Sequence, residues 1–283
     1  MSDRAWLPPL NIERTYKVLL RHMVAEMSIE TERQLRERKL LRLDSWSDDL
    51  TALFEYLIYF ANGLTAPVVA RLPSIYSSIS KFNDQQWRLV VKAGTGISIA
   101  PAASVFAPGA TMSPFATITK RFGMGIDVYR SEPWLAELQK NWIAQNTSLI
   151  KSVPTQYMAK VEQIVRTGVL GGTTSREIAK QIKAASGVTD RRAMIIARDQ
   201  VGKANGELTQ HRQTDLGVKS YKWVTAHDER VRGNPAGRFP SAIPSHWARE
   251  GKTFSWDNPP EGGHPGAAIL CRCFSSPLWP DEQ

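Results

Sequence analysis

The chain has 283 residues, with 36 basic against 27 acidic side chains (net charge +9) and 42% hydrophobic composition. This is too apolar for a disordered chain and long enough for one large domain or two. No four consecutive residues are Lys or Arg, which excludes a polybasic nucleic-acid tail but leaves a weak attraction to DNA phosphates or an acidic protein surface.

The first nine residues lack the apolar core of a signal peptide. The most apolar stretch, residues 52–70, is interrupted by Glu55, Asn62, Gly63 and Pro67, so no membrane segment is expected, and a cytoplasm-like compartment is. Residues 11–60 read as helical. Asn11 is placed to cap a segment in which Ile12, Val18, Leu19, Met23 and Met27 recur at helical spacing. Arg33, Arg36, Arg38, Lys39 and Arg42 then lie among Glu30, Glu32 and Glu37, the pattern of a solvated helix face. Asp48-Asp49-Leu50-Thr51 opens a strongly apolar helix that ends near Gly63.

From Val91 to Gly125 the chain is poor in charge and shows no clean helical period, which predicts an extended insertion or arm over 91–133. Its Ile97, Ile99, Val105, Phe106, Phe115 and Ile118 call for burial against a neighbour, worth roughly 1.5–3 kcal/mol each. Helix returns over 134–151, stops at Pro154 and resumes over 155–168. Asn146-Thr147-Ser148 matches a glycosylation sequon, which has no meaning without secretion. Thr174-Ser175-Arg176-Glu177 has capping-box form and opens a helix expected to stop at Gly187. Thr189 or Asp190 then caps a long helix whose core stripe is Ala193, Ile196, Ala197, Val201, Ala204 and Leu208, ending near Gly217.

Beyond Gly217 the period changes. Strands are expected at 221–226, 252–256 and 271–275, separated by Pro- and Gly-rich loops over 233–245 and 257–267. The fold class is therefore α+β: a mostly helical N-terminal and central part, then a small C-terminal α+β unit with a short antiparallel sheet. The expected divisions are a helical region over 1–90, the insertion over 91–133, and a third region over 134–283, with helices over 134–217 and the sheet unit over 218–278.

Most chemical motifs fail on spacing. Gly251-Lys252-Thr253 lacks the first glycine of a phosphate loop, because position 246 is His246. Gly94-Thr95-Gly96 and Gly123-Met124-Gly125 lack the third glycine of a dinucleotide fingerprint. There is no His-Glu-x-x-His and no Gly-x-Ser-x-Gly, so a non-enzymatic protein is expected. Cys271 and Cys273, the only two cysteines, are too close in sequence for an unstrained mutual bridge. Together with His227, Asp228, His246 and His264 they supply thiol, imidazole and carboxylate ligands. His246, His264, Cys271 and Cys273 are the candidate ligands of a structural zinc ion, although their spacing is that of no standard finger. The alternative is two buried thiols acting as small apolar residues beside structural histidines. Asp228, Arg230 and Arg232 are expected to form a charge-assisted network.

The order of these pieces carries a resemblance. Tyr221-Lys222-Trp223-Val224-Thr225, Asp228-Glu229-Arg230-Val231-Arg232, His246, Gly251-Lys252-Thr253-Phe254, Pro265-Gly266 and Cys271-Arg272-Cys273 resemble the Mu F-like family, the minor head or head morphogenesis proteins of tailed bacteriophages. Upstream the likeness extends through Asn146 to Ser152 and Arg191-Arg192-Ala193 to Ile196-Ala197-Arg198-Asp199-Gln200, covering roughly 134–278. One departure is that residues 233–245 separate the Asp-x-Arg-x-Arg element from His246. The resemblance implies a structural protein of the virion head, made in the bacterial host cytoplasm and acting near the portal vertex in assembly and DNA packaging or release. Its implied partners are the portal protein, the major capsid or scaffold protein, and packaged double-stranded DNA. Two other readings compete: a metal-dependent hydrolase or nuclease centred on the His/Cys cluster, and a DNA-binding internal protein ejected with the genome.

Overall fold

The computed structural model describes residues 6–37, 46–101 and 132–279. In chain order the elements are α1 (Leu10–Glu37), α2 (Trp46–Gly63), α3 (Thr65–Ala70), α4 (Leu72–Thr95), α5 (Leu135–Leu170), α6 (Ser175–Asp215), β1 (Ser220–Val224), β2 (Thr253–Ser255) and β3 (Phe274–Pro277). This is the α+β class expected. The chain divides into a helical unit, residues 13–75 and 140–198, and a sheet unit, residues 1–12, 76–139 and 199–283.

In the helical unit, α1 buries Tyr16, Leu20, Met23 and Met27, spaced at i, i+4, i+7 and i+11. Val18, expected on this stripe, is 62% exposed, because it lies about 200° round the helix from Tyr16. Tyr16 Oη donates to Asn146 Oδ1 at 2.9 Å, and Asn146 is fully buried, so the sequon is a core contact. Glu30 departs from the solvated-face reading. It is buried and accepts from Arg33 (2.6 and 2.8 Å), Gln34 (2.9 Å) and Tyr56 Oη (2.8 Å). The Arg33 hydrogen bonds, opposed by burial and helped by Gln34 and Tyr56, hold its carboxyl down at about 2. Arg38, Lys39 and Arg42 lie outside the described residues.

Two expected helix breaks are absent. Pro154 sits inside α5. Ser152 Oγ donates to the Leu149 carbonyl at 2.7 Å and Thr155 Oγ1 to the Lys151 carbonyl at 3.1 Å, so the hydroxyls flanking the proline bond to carbonyls of the turn before it. Burial of Ile150, Val153, Tyr157 and Met158 opposes the penalty of about 3 kcal/mol for an interior proline. Gly187 likewise lies within α6, where burial of Ile182 and Ala193 on either side outweighs its cost of about 1 kcal/mol. Thr189 Oγ1 donates to the Ala185 carbonyl at 3.0 Å instead of capping a new helix, and Asp190 pairs with Arg21 at 2.8 Å. The Thr174 cap does form, with Glu177 N–H donating to Thr174 Oγ1 at 3.3 Å.

The stretch Leu50–Thr95 is apolar and long enough, by composition alone, to cross a membrane, with a window of mean hydropathy 1.3. In the fold it is three helices, and α2 buries Leu50, Leu53, Phe54, Leu57 and Ala61.

In the sheet unit, three indoles stack: Trp6 on Trp87 at 6.2 Å and Trp87 on Trp279 at 6.0 Å between ring centroids. α4 runs to Thr95, further than its composition suggested. Gly94 is required there by space, since a Cβ would lie 2.1 Å from Trp279 Nε1. Ile99 is buried in this tryptophan cluster and Ile97 packs on it, so these two find cover within the chain. Val105, Phe106, Phe115 and Ile118 lie outside the described residues, as does 102–131 of the expected arm.

A buried ion pair joins the helices of this unit. Arg212 donates from Nε and Nη2 to the two Glu132 carboxylate oxygens (2.7 and 2.8 Å), from Nη1 to Ser80 O and Asn83 Oδ1 (3.0 and 2.7 Å), and from Nη2 to Ser80 Oγ (2.9 Å). α6 closes with paired bonds from Val218 N to Gln213 O and from Gly217 N to Thr214 O, and Gly217 takes φ 77°, a Schellman end. The sheet that follows is antiparallel in the order β2-β1-β3, with Tyr221 opposite Phe254 on one side and Trp223 opposite Ser275 on the other.

Candidate functional site

The site is assembled by β1 and the loops that return to it. Tyr221 and Trp223 alternate with half-buried neighbours along β1 and point to the same buried face. Trp223 meets the His246 ring edge-on at 5.2 Å and Arg249 covers the indole at 4.9 Å. Tyr221 packs on Trp256 at 4.3 Å. Gln213 at the end of α6 ties these strands together. Its side chain accepts from Trp256 Nε1 at 3.1 Å and donates to the Ser275 carbonyl at 2.9 Å.

The Cys-x-Cys segment precedes β3, whereas the sequence pattern placed it in the strand. Asp199 on α6 explains why. Its Oδ1 accepts from the Leu270 N–H at 2.8 Å, and Leu270 has φ 57°, which turns the chain just before Cys271. Lys203 holds the other carboxylate oxygen at 2.8 Å. α6 comes close here: a Cβ at Gly206 would lie 2.8 Å from the Pro265 carbonyl oxygen and 3.2 Å from Gly266 Cα.

His246, Cys271 and Cys273 meet, their donor atoms all within 4.8 Å of one another, a group that can hold a metal ion. The separations are 3.5 Å from Cys271 Sγ and 3.6 Å from Cys273 Sγ to His246 Nδ1. His246 is 3% exposed. Gly266 N–H donates to Cys271 Sγ at 3.4 Å. The two thiols share protons unequally. The hydrogen bond from Cys273, opposed by burial and aided by His246, holds Cys271 well below the usual thiol range, while that same bond and burial push Cys273 up.

His264, the fourth expected ligand, stands apart from this group. Its Nδ1 is 2.9 Å from Tyr221 Oη and its ring lies against Trp256 at 4.8 Å. Burial lowers its pKa, with a hydrogen bond to the Trp256 backbone opposing. Both interactions make it a structural histidine of the aromatic cluster. His227 is also elsewhere, mostly exposed and 3.3 Å from Glu250.

The charge network forms with one substitution of partner. Asp228 accepts from Arg230 through the backbone N–H at 3.0 Å and the guanidinium at 2.9 Å, and from Arg272. Arg232 instead donates to the Ile269 carbonyl at 2.8 Å, because its side chain reaches the loop ahead of Cys271. Burial disfavours the Asp228 carboxylate, but the Arg230 hydrogen bonds and the Arg272 and Arg230 charges outweigh it and lower its pKa.

Residues 233–245 are pinched off as a closed excursion. Trp247 N–H donates to the Arg232 carbonyl at 3.0 Å, and Gly233 N–H to the Phe239 carbonyl at 2.9 Å. Gly233 has φ 74° and faces Ser245, whose Oγ would be 2.0 Å from any Cβ. The departure in loop length thus leaves His246 in reach of the cysteines. Asp199, Gln213 and Arg272 are the site residues that no spacing rule singled out; each is one polar residue in an otherwise ordinary helix or loop.

Residues 159–276 match the family model described as Phage Mu protein F like protein. Over this segment the chain is similar to that family. The matched segment contains β1, β2, His246, Cys271, Cys273, Asp199 and Gln213, so the whole site lies within the matched residues. The chain is also similar to an uncharacterized protein of Haemophilus influenzae, 37% identical over 158 residues, which is 55% of this chain and 33% of that relative. The match thus spans a third of the relative's length. No solved structure matches the chain.

Proposed function

We propose that the chain is a structural minor capsid protein of a tailed bacteriophage, acting near the portal vertex in head assembly and in DNA packaging or release. The observation that carries this reading is the Mu F-like match, which takes in the complete His246/Cys271/Cys273 site and the helix that supports it. The small sheet and its aromatic core support a docking role. Tyr221, Trp223 and Trp256 fill a buried aromatic core, with Tyr221 Oη against His264 Nδ1 and Trp256 Nε1 donating to Gln213. Contact with the portal or capsid requires apolar burial and charge selection, and the net +9 suits a DNA-filled shell. The role calls for no turnover, and none is assigned.

Mass spectrometry of gradient-purified virions and procapsids tests it. The chain is expected in both, at far fewer copies than the major capsid protein. Its recovery only in the soluble lysate would refute the assignment.

A further inference from the structure

The three donors fit one metal closely. For a tetrahedral ion with Zn–S about 2.3 Å and Zn–N about 2.05 Å, the S···N separation is about 3.6 Å. The two observed values are 3.5 and 3.6 Å. Two soft thiolates with an imidazole favour zinc over the hard cations. The Gly266 N–H aimed at Cys271 Sγ supplies an outer-shell bond of the kind that orients a thiolate ligand.

His264 is taken up by Tyr221, so one tetrahedral position has no protein donor in the group. All three donors line a cavity of about 290 Å³ whose wall also includes Arg230, Arg232, Arg272 and Phe239. A dication with two thiolates is neutral, and three guanidinium groups against the single Asp228 carboxylate leave the cavity positive. Arg232 directs one of its five N–H donors at Ile269. The wall contains no carboxylate and no second imidazole to act as a base, which suits binding rather than hydrolysis.

We propose that His246, Cys271 and Cys273 hold a Zn²⁺ ion whose fourth ligand is an oxyanion, a carboxylate or phosphate oxygen, admitted through the arginine-lined cavity. This goes beyond the role in the head and does not depend on it.

The test uses the 283-residue chain loaded with Co²⁺ in place of Zn²⁺. One ion per chain is expected, with visible absorption of tetrahedral cobalt and thiolate-to-cobalt charge transfer in the near ultraviolet. Cys271→Ser, Cys273→Ser and His246→Gln should each lose or weaken this spectrum, whereas His264→Gln should keep it. Addition of acetate or inorganic phosphate should shift the visible bands, and the anion that shifts them at lower concentration identifies the source. Arg232→Gln should raise that concentration at least about tenfold. Far-ultraviolet circular dichroism checks that each variant is folded. Folded wild-type chain that takes up neither zinc nor cobalt would overturn the site. Loss of metal in folded His264→Gln would overturn the three-ligand assignment, and bands indifferent to both anions would overturn the fourth ligand.

Discussion

Replacing Glu132 by Ala isolates the energetics of the buried ion pair. Arg212 and Glu132 are each about 1% exposed in the side chain, and all five Arg212 N–H groups have acceptors. The substitution removes both charge-assisted bonds at 2.7 and 2.8 Å and leaves a guanidinium in a site closed to water. Each such bond is worth about 1.5–3 kcal/mol, and breaking one side of a buried pair costs roughly 3–5 kcal/mol. Ser80→Ala removes one hydroxyl acceptor of the guanidinium at 2.9 Å and should cost about 1.5–3 kcal/mol, less than loss of the carboxylate. Urea unfolding followed by tryptophan fluorescence is weighted to the sheet unit, which holds seven of the nine tryptophans, Trp6, Trp87 and Trp279 stacked among them. The expected order is wild type, then Ser80→Ala, then Glu132→Ala. A loss below about 1 kcal/mol for Glu132→Ala would show that Arg212 finds water or another anion, and the reasoning would fail.

Further outcomes follow from the same geometry. Gly187→Ala should stabilise by about 0.5–1 kcal/mol, since nothing lies within 4 Å of the new methyl, whereas Gly206→Ala should destabilise despite the better helix propensity, its Cβ lying 2.8 Å from the Pro265 oxygen; chemical denaturation of the pair checks the opposite signs. His264 has a lowered folded pKa, so its stabilisation is complete above the unfolded value of about 6.5 and declines as pH falls from there toward the folded value. His264→Gln should flatten that part of the stability–pH curve measured by thermal melting between neutral pH and pH 5. Asp199→Ala frees the Leu270 N–H and should weaken cobalt binding about 10–100-fold without changing its stoichiometry, read by competition with a chelator.

The α+β class, the strand starting near Tyr221 and the helix stripes through Ala193 and Leu208 were legible, because apolar periodicity reports directly on which face is buried. Pro154 and Gly187 misled because local propensity is a small term beside the burial of Val153, Ile182 and their neighbours. Three of the four suggested ligands converge, and the choice between His246 and His264 was not legible. Both are histidines in Gly- and Pro-rich loops, and only the position of Tyr221 on β1 decides which one is taken up in the aromatic cluster. Arg272 replaced Arg232 at Asp228 for a similar reason: the turn at Leu270, fixed by Asp199 from a distant helix, sets where both guanidinium groups lie. Sequence spacing cannot encode a contact made across 71 residues.

An asymmetric cryo-electron microscopy reconstruction of the encoding phage's procapsid tests the central claim most directly. Density that accommodates the Mu F-like unit beside the portal ring, and nowhere on the remaining vertices, is the predicted result. A portal vertex without such density, in particles from which the chain is absent by immunoblot, would contradict it.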